Sequence, residues 1–167
     1  MTEGLTRVLA ILLVILMAAM VLDVTWQIVT RFIMKNPSSF TEELAGFLLV
    51  WIGLLGSSYA LYTKAHLGID IISSRVSGVR KLVIEIGVYI IIIVFSLFVM
   101  LIGGLRLMTI AFQLNQVSPS LGIPIGYVYV VLPLTGIILI YYSIYFIIMA
   151  FKKDKITEPA KSVSAVD

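Results

Sequence analysis

The stretch VLAILLVILMAAMVL, residues 8–22, decides the fold. It holds no charge, no glycine and no proline, whereas a helix on the surface of a soluble protein needs a polar face. Lipid is the solvent that such a run fits. A helix crosses ~30 Å of hydrocarbon with ~20 predominantly apolar residues, and the run sits inside a helix expected over about 5–34. Three more stretches read the same way. Helix 2 is expected over about 41–62. Helix 3 is expected over about 82–112, with an aliphatic centre at 90–94, and helix 4 over about 125–151.

Composition agrees. The chain has 167 residues, 60% of them hydrophobic and 13% charged, with a mean hydropathy of +1.11. Soluble domains average about 45–50% apolar and about 25% charged residues, and a small soluble fold cannot hide the excess. The expected class is an all-α integral membrane protein. It has four transmembrane helices and a short amphipathic interfacial helix between helices 2 and 3. Residues 1–151 form the membrane domain and 152–167 an unstructured tail, where Pro159 and small polar residues follow Lys152, Lys153 and Lys155. The start resembles a signal peptide, but its apolar region is too long and no small-x-small cleavage site comes after it. It reads as a retained helix. The absence of cysteine excludes disulfides, thiolate metal sites and cysteine nucleophiles.

The net charge of +3 does not point to nucleic acid, because the basic residues lie in the loops and tail, where they set orientation. Arg7, Lys64, Arg75, Arg80, Lys81, Lys152, Lys153, Lys155 and Lys161 fall on one side, Arg31 and Lys35 on the other. Positive residues mark the cytoplasm. Both termini are therefore expected inside, and the loops at Asn36 and Pro119 outside. Tyr127 and Tyr129 at the outer start of helix 4, and Tyr59 and Tyr62 at the inner end of helix 2, fit interfacial aromatics. Within the inner break, Ile69, Ile72, Val76 and Val79 recur at helical spacing, with Asp70, Ser73, Ser74, Ser77, Arg80 and Lys81 mostly elsewhere on the wheel; Arg75 belongs to the same segment. That pattern suits a helix of about 67–81 lying in the interface plane and touching lipid.

Polar residues inside the spans are the candidate sites. Asp23, Gln27 and Arg31 share one helix face. Asp23 lies roughly 20 Å below the Asn36 turn, and Arg106 about 15 Å below the Gln116 turn, at ~1.5 Å per residue. Two readings fit: an ion or proton path, or a structural Asp23–Arg106 pair or contact with a partner subunit. The second is preferred, since one acid and one base make no relay and no oxygen cluster for sodium is nearby. Arg31 with Glu42 and Glu43 reads as a salt bridge at a hairpin tip, or as a carboxylate left for a partner's basic group. Ser39 or Thr41 can cap helix 2. Trp26 and Trp51 read as packing. Gly103 and Gly104, Gly53 with Gly56, and Gly46 are places where another helix can approach. His66, the one histidine, has no catalytic or metal-binding company. No nucleophile elbow, phosphate loop or dinucleotide fingerprint is present, so neither an enzyme nor a cofactor is expected. Helices 2, 3 and 4 show no mid-helix Gly-Pro break, and Pro133 is the one proline well inside a span. Four plain helices make a poor conduit by themselves. A supporting subunit of a larger membrane protein is the better reading, and a self-assembling small transporter or channel is the alternative.

Several segments resemble a known family: WQIVTR at 26–31, SFTEEL at 39–44, VWIGLLG at 50–56, HLGID at 66–70, QVSPSLGIP at 116–124, YVY at 127–129 and LPLTG at 132–136. In order and spacing they are similar to the small membrane subunit, DctQ type, of tripartite ATP-independent periplasmic (TRAP) transporters. The resemblance covers about 5–150. It implies a sodium-driven system of the bacterial inner membrane that imports organic acids such as sialic acid or C4-dicarboxylates. A periplasmic substrate-binding protein delivers the cargo, and a large membrane subunit holds the substrate and sodium sites. The chain stops soon after helix 4, so the large subunit is expected as a separate chain. No catalytic or substrate residue carries over. The resemblance implies a partner-facing or structural role for Gln27, Arg31, Glu42, Glu43, Trp51 and Pro119.

Overall fold

A computed structural model describes residues 2–35, 38–63 and 79–163, with the backbone alone described at 79–81 and 153–163. The elements in chain order are α1 (Thr2–Phe32), α2 (Ser39–Tyr62), α3 (Val79–Phe95), a π-helical run (Ser96–Gly103), α4 (Gly104–Gln113), α5 (Gly126–Tyr129) and α6 (Val131–Val163). Four helical stretches are long and apolar enough to span a membrane: Thr2–Phe32, Ser39–Tyr62, Leu82–Gln113 and Gly126–Lys152. The chain is an all-α, multi-pass membrane protein.

The ends of these helices obey local chemistry. Beyond α1 the Met34 N–H reaches back to the Val29 carbonyl at 3.2 Å, and Lys35 turns the chain with a φ of 51°. Ser38 stands at the N-cap of α2 in extended conformation without a side-chain cap bond. Instead of Ser39 or Thr41 capping the helix, the Thr41 hydroxyl donates to the Ser38 carbonyl at 2.9 Å. In the fourth span Pro133 has no N–H for the Tyr129 carbonyl, and the helix is interrupted at Val130 between α5 and α6.

Two features depart from the sequence reading. The third span is not a plain α-helix, because Ser96–Gly103 is wound as π-helix. No proline forces this. The run lies against α6 at Gly136, where a Cβ would sit 3.0 Å from Met100 Cβ and 3.2 Å from the Ser96 carbonyl oxygen. The wide turn makes room for the backbone of the facing helix. The expected unstructured tail is also helical in backbone as far as Val163, since Lys, Glu and Ala are good helix formers and a formed span propagates at low cost. The expected interfacial helix over 67–81 lies largely outside the described residues. Val79, Arg80 and Lys81 form the first turn of α3.

The spans are arranged as a row rather than a square. α1 packs on α2, α2 on α6, and α6 on α3, the π run and α4. Close approach of the third and fourth spans requires glycine: a Cβ on Gly104 would lie 2.7 Å from Leu132 Cβ, and one on Gly126 2.7 Å from the Phe112 ring. The core joins Leu9, Leu55, Leu61, Tyr89, Met100, Val131, Leu139, Tyr142 and Phe146 from all four spans. Most of the remaining apolar surface faces outward.

Candidate functional site

The N-terminal hairpin places its polar residues unequally. Asp23 is 8% exposed, and its Oδ2 has no hydrogen-bond partner within the chain. Gln27 is half-buried and Arg31 exposed. The Thr30 hydroxyl, buried beside them, donates to the Gln27 carbonyl at 3.0 Å. Trp26 faces outward, 56% exposed, whereas Trp51 packs on the core cluster. Arg106 sits exposed on α4, and among the described residues no ion pair joins it to Asp23.

The hairpin tip is held differently from the expected salt bridge. Among the described residues no ion pair links Arg31 to Glu42 or Glu43. Glu43 Oε2 accepts the backbone N–H of Ser120 at 2.9 Å, across 77 residues of chain. Glu42 stays exposed in the first turn of α2, where the helix dipole suits it.

The loop that Glu43 grips is ordered by its own backbone. Ser118 N–H donates to the Ile123 carbonyl and Ile125 N–H to the Gln116 carbonyl, both at 2.9 Å. Asn115 leaves α4 at a φ of 47°, and Gly122 closes the turn at 67°, a conformation glycine adopts without a Cβ penalty. Ser118 is buried and its Oγ accepts the Leu121 N–H at 3.1 Å. Pro119 and Ser120 are exposed at the tip. The result is a rigid, uncharged platform tied to α2.

An aromatic cluster binds the opposite end. Tyr62 and Tyr142 rings lie 5.1 Å apart, and Tyr89 stacks on Phe146 at 5.5 Å. Thr6 and Tyr142 hydroxyls are 2.9 Å apart. Thr6 also donates to the Thr2 carbonyl, so Tyr142 is the donor between them. Sequence reasoning placed Tyr62 at the interface and overlooked Thr6, Tyr89 and Tyr142. The available signal was spacing on one helix face: Thr6 stands at i, i+3 to Leu9, and Tyr142 at i, i+4 to Phe146. Ser58, Ser96, Thr135 and Ser143 are buried with hydroxyl oxygens lacking partners.

Of the interfacial set, Ile69, Ile72, Arg75 and Val76 fall outside the described residues. Among the described residues no group of three His, Cys, Asp or Glu gathers to hold a metal. Polar features thus lie at the helix ends, as at Glu43 and Thr6, and inside the bundle, as at Asp23, Ser58, Ser96, Thr135 and Ser143.

Residues 20–153 match the family described as tripartite ATP-independent periplasmic transporters, DctQ component. The chain is also 36% identical over 72 residues to the sialic acid TRAP transporter small permease protein SiaQ of Vibrio cholerae serotype O1 (strain ATCC 39315 / El Tor Inaba N16961). That stretch covers 43% of this chain and 42% of the relative, so less than half of the relative is spanned.

Proposed function

Since the chain belongs to the DctQ-component family of TRAP transporters, we propose that it is the small, non-catalytic membrane subunit of a sodium-driven secondary transporter. Its cargo is an organic acid, with sialic acid or a C4-dicarboxylate as the leading classes. A periplasmic binding protein delivers that cargo, and a separate large membrane subunit carries it. The small subunit packs on the large one and widens its fixed scaffold in the bacterial inner membrane, with both termini in the cytoplasm.

The observation that carries this reading is the family match along 20–153, which takes in the second, third and fourth spans and the end of the first. The geometry is compatible. The outward surface is largely apolar, and Glu43, Thr6 and Tyr142 hold helices and a loop together. A scaffold must resist being pushed, and the Glu43 tie at one end and the aromatic cluster at the other brace the row of spans. Sialic acid as cargo is supported by the similarity to the Vibrio cholerae protein.

The test is reconstitution. The chain, the large subunit and the binding protein are placed in vesicles, and sodium-dependent uptake of sialic acid and of succinate is monitored. Uptake that needs all three components supports the reading. Uptake by the small subunit alone would replace it with the self-assembling transporter.

A further inference from the structure

We propose that the outward face of α4, carrying Arg106, Thr109 and Gln113, docks on the large transport subunit, with Arg106 pairing there with a membrane-level carboxylate. This rests on the small-subunit reading above. α4 turns Gly104 and Ala111 into the bundle, with Met108 half-buried beside them, and Gly104 abuts Leu132 and Pro133. At about 100° per residue, Ile102, Arg106, Thr109 and Gln113 fall on the opposite side, and all are exposed.

Along the same span, deeper in, the exposed residues include Ile91, Val94, Phe95, Phe98 and Val99. Lipid accepts that apolar surface but not a bare cation, and Arg106 enters the outward face roughly 10 Å before α4 ends at Gln113. A guanidinium facing hydrocarbon is costly unless it is paired or reaches water. Among the described residues no acid is paired with it. Glu43 is committed to Ser120, and Asp23 is buried on the N-terminal hairpin. The unmatched positive charge calls for a carboxylate, which a guanidinium binds through two parallel hydrogen bonds.

The surroundings suit a helix rather than lipid tails. A Cβ on Gly103 would meet only its own helix, the Phe98 carbonyl at 3.6 Å, so a partner backbone can come close. Thr109 spends its proton on the Leu105 carbonyl at 2.8 Å and adds bulk without an unmet donor. Gln113 offers an amide at the rim.

The test uses the full chain co-expressed with its large subunit. Photo-crosslinking residues are placed at Ile102 and Gln113, and, as a control, at Val21 on the outward side of α1. Adducts of large-subunit mass are expected from the first two positions and not from Val21. Arg106→Glu should lower the recovered large subunit by about tenfold or more, as loss of a desolvated charge pair does. Changing the large-subunit carboxylate nearest the adduct sites to arginine should restore it. Size exclusion of the variant alone checks its fold, and the lesser change Arg106→Gln should weaken recovery in the same direction. Normal recovery with Arg106→Glu, adducts to lipid only, or adducts from Val21 alone would each overturn the docking face and leave the subunit reading standing. Failure of the unaltered chain to recover the large subunit would overturn that reading as well.

Discussion

Glu43, in the second turn of α2, accepts the backbone N–H of Ser120 at 2.9 Å and so ties the N-terminal hairpin to the loop between the third and fourth spans. At the loop's far end Gly126 packs closely on the Phe112 ring of α4. A carboxylate receiving a backbone N–H makes a charge-assisted hydrogen bond. Glu43→Ala should therefore loosen 114–125 without unfolding the spans. Hydrogen exchange at the Ser120 and Leu121 amides should quicken, while amides in α6 stay protected. Unchanged exchange in the loop would show that its internal ladder suffices.

The Thr6–Tyr142 hydrogen bond joins α1 directly to α6. Hydrogen bonds between membrane helices average ~0.6 kcal/mol and reach ~1.7 kcal/mol. Tyr142→Phe should cost an amount in that range and leave the ring contact with Tyr62 in place. Thr6→Val should cost a similar amount. The double variant should show coupling, because each change removes the same bond. Unfolding by titration with a denaturing detergent measures all three, and strict additivity would count against the bond.

The membrane class and the spans were legible because lipid imposes a simple demand: long apolar runs, ended by charges such as Arg7, Lys64 and Lys152. Pairings across the chain were not. Glu43 could be assigned to Arg31 as readily as to any other group, since the sequence shows a cation nearby and not an amide 77 residues away. The π run was hidden for a related reason. Its residues, SLFVMLIG, read as an unbroken helix, and the constraint comes from Gly136 on another span. Tyr142 in an apolar run gave no sign that its hydroxyl would meet Thr6. Local chemistry decided where helices run, and tertiary contact decided how their polar groups are spent.

The glycines divide into inward and outward sets, with opposite expected effects. A Cβ on Gly104 would lie 2.7 Å from Leu132 Cβ, whereas Gly46 and Gly53 meet nothing within 4 Å. Gly104→Ala should destabilise the isolated chain by ~1–3 kcal/mol through overpacking. Gly53→Ala should be neutral or stabilising by up to ~1 kcal/mol, since alanine is the better helix former. Thermal unfolding of the purified variants in one detergent separates the two. Equal destabilisation at both positions would mean that α2 is packed on both sides.

Asp23 is poorly served by the helices around it. It is 8% exposed and its Oδ2 is buried without a donor. A buried polar group left unsatisfied costs about 1–3 kcal/mol, and its replacement by an apolar group of like shape can be neutral or stabilising. Asp23→Leu should therefore raise the stability of the isolated subunit, by an amount within that range. Asp23→Asn, which keeps the polar volume without supplying a partner for both of its groups, should gain less. Lower stability for Asp23→Leu would show that the carboxylate holds a bound water or a donor that the isolated helices do not provide. Guanidinium or detergent unfolding of the three proteins, free of the large subunit, decides the matter, because a partner's donor would otherwise mask the effect.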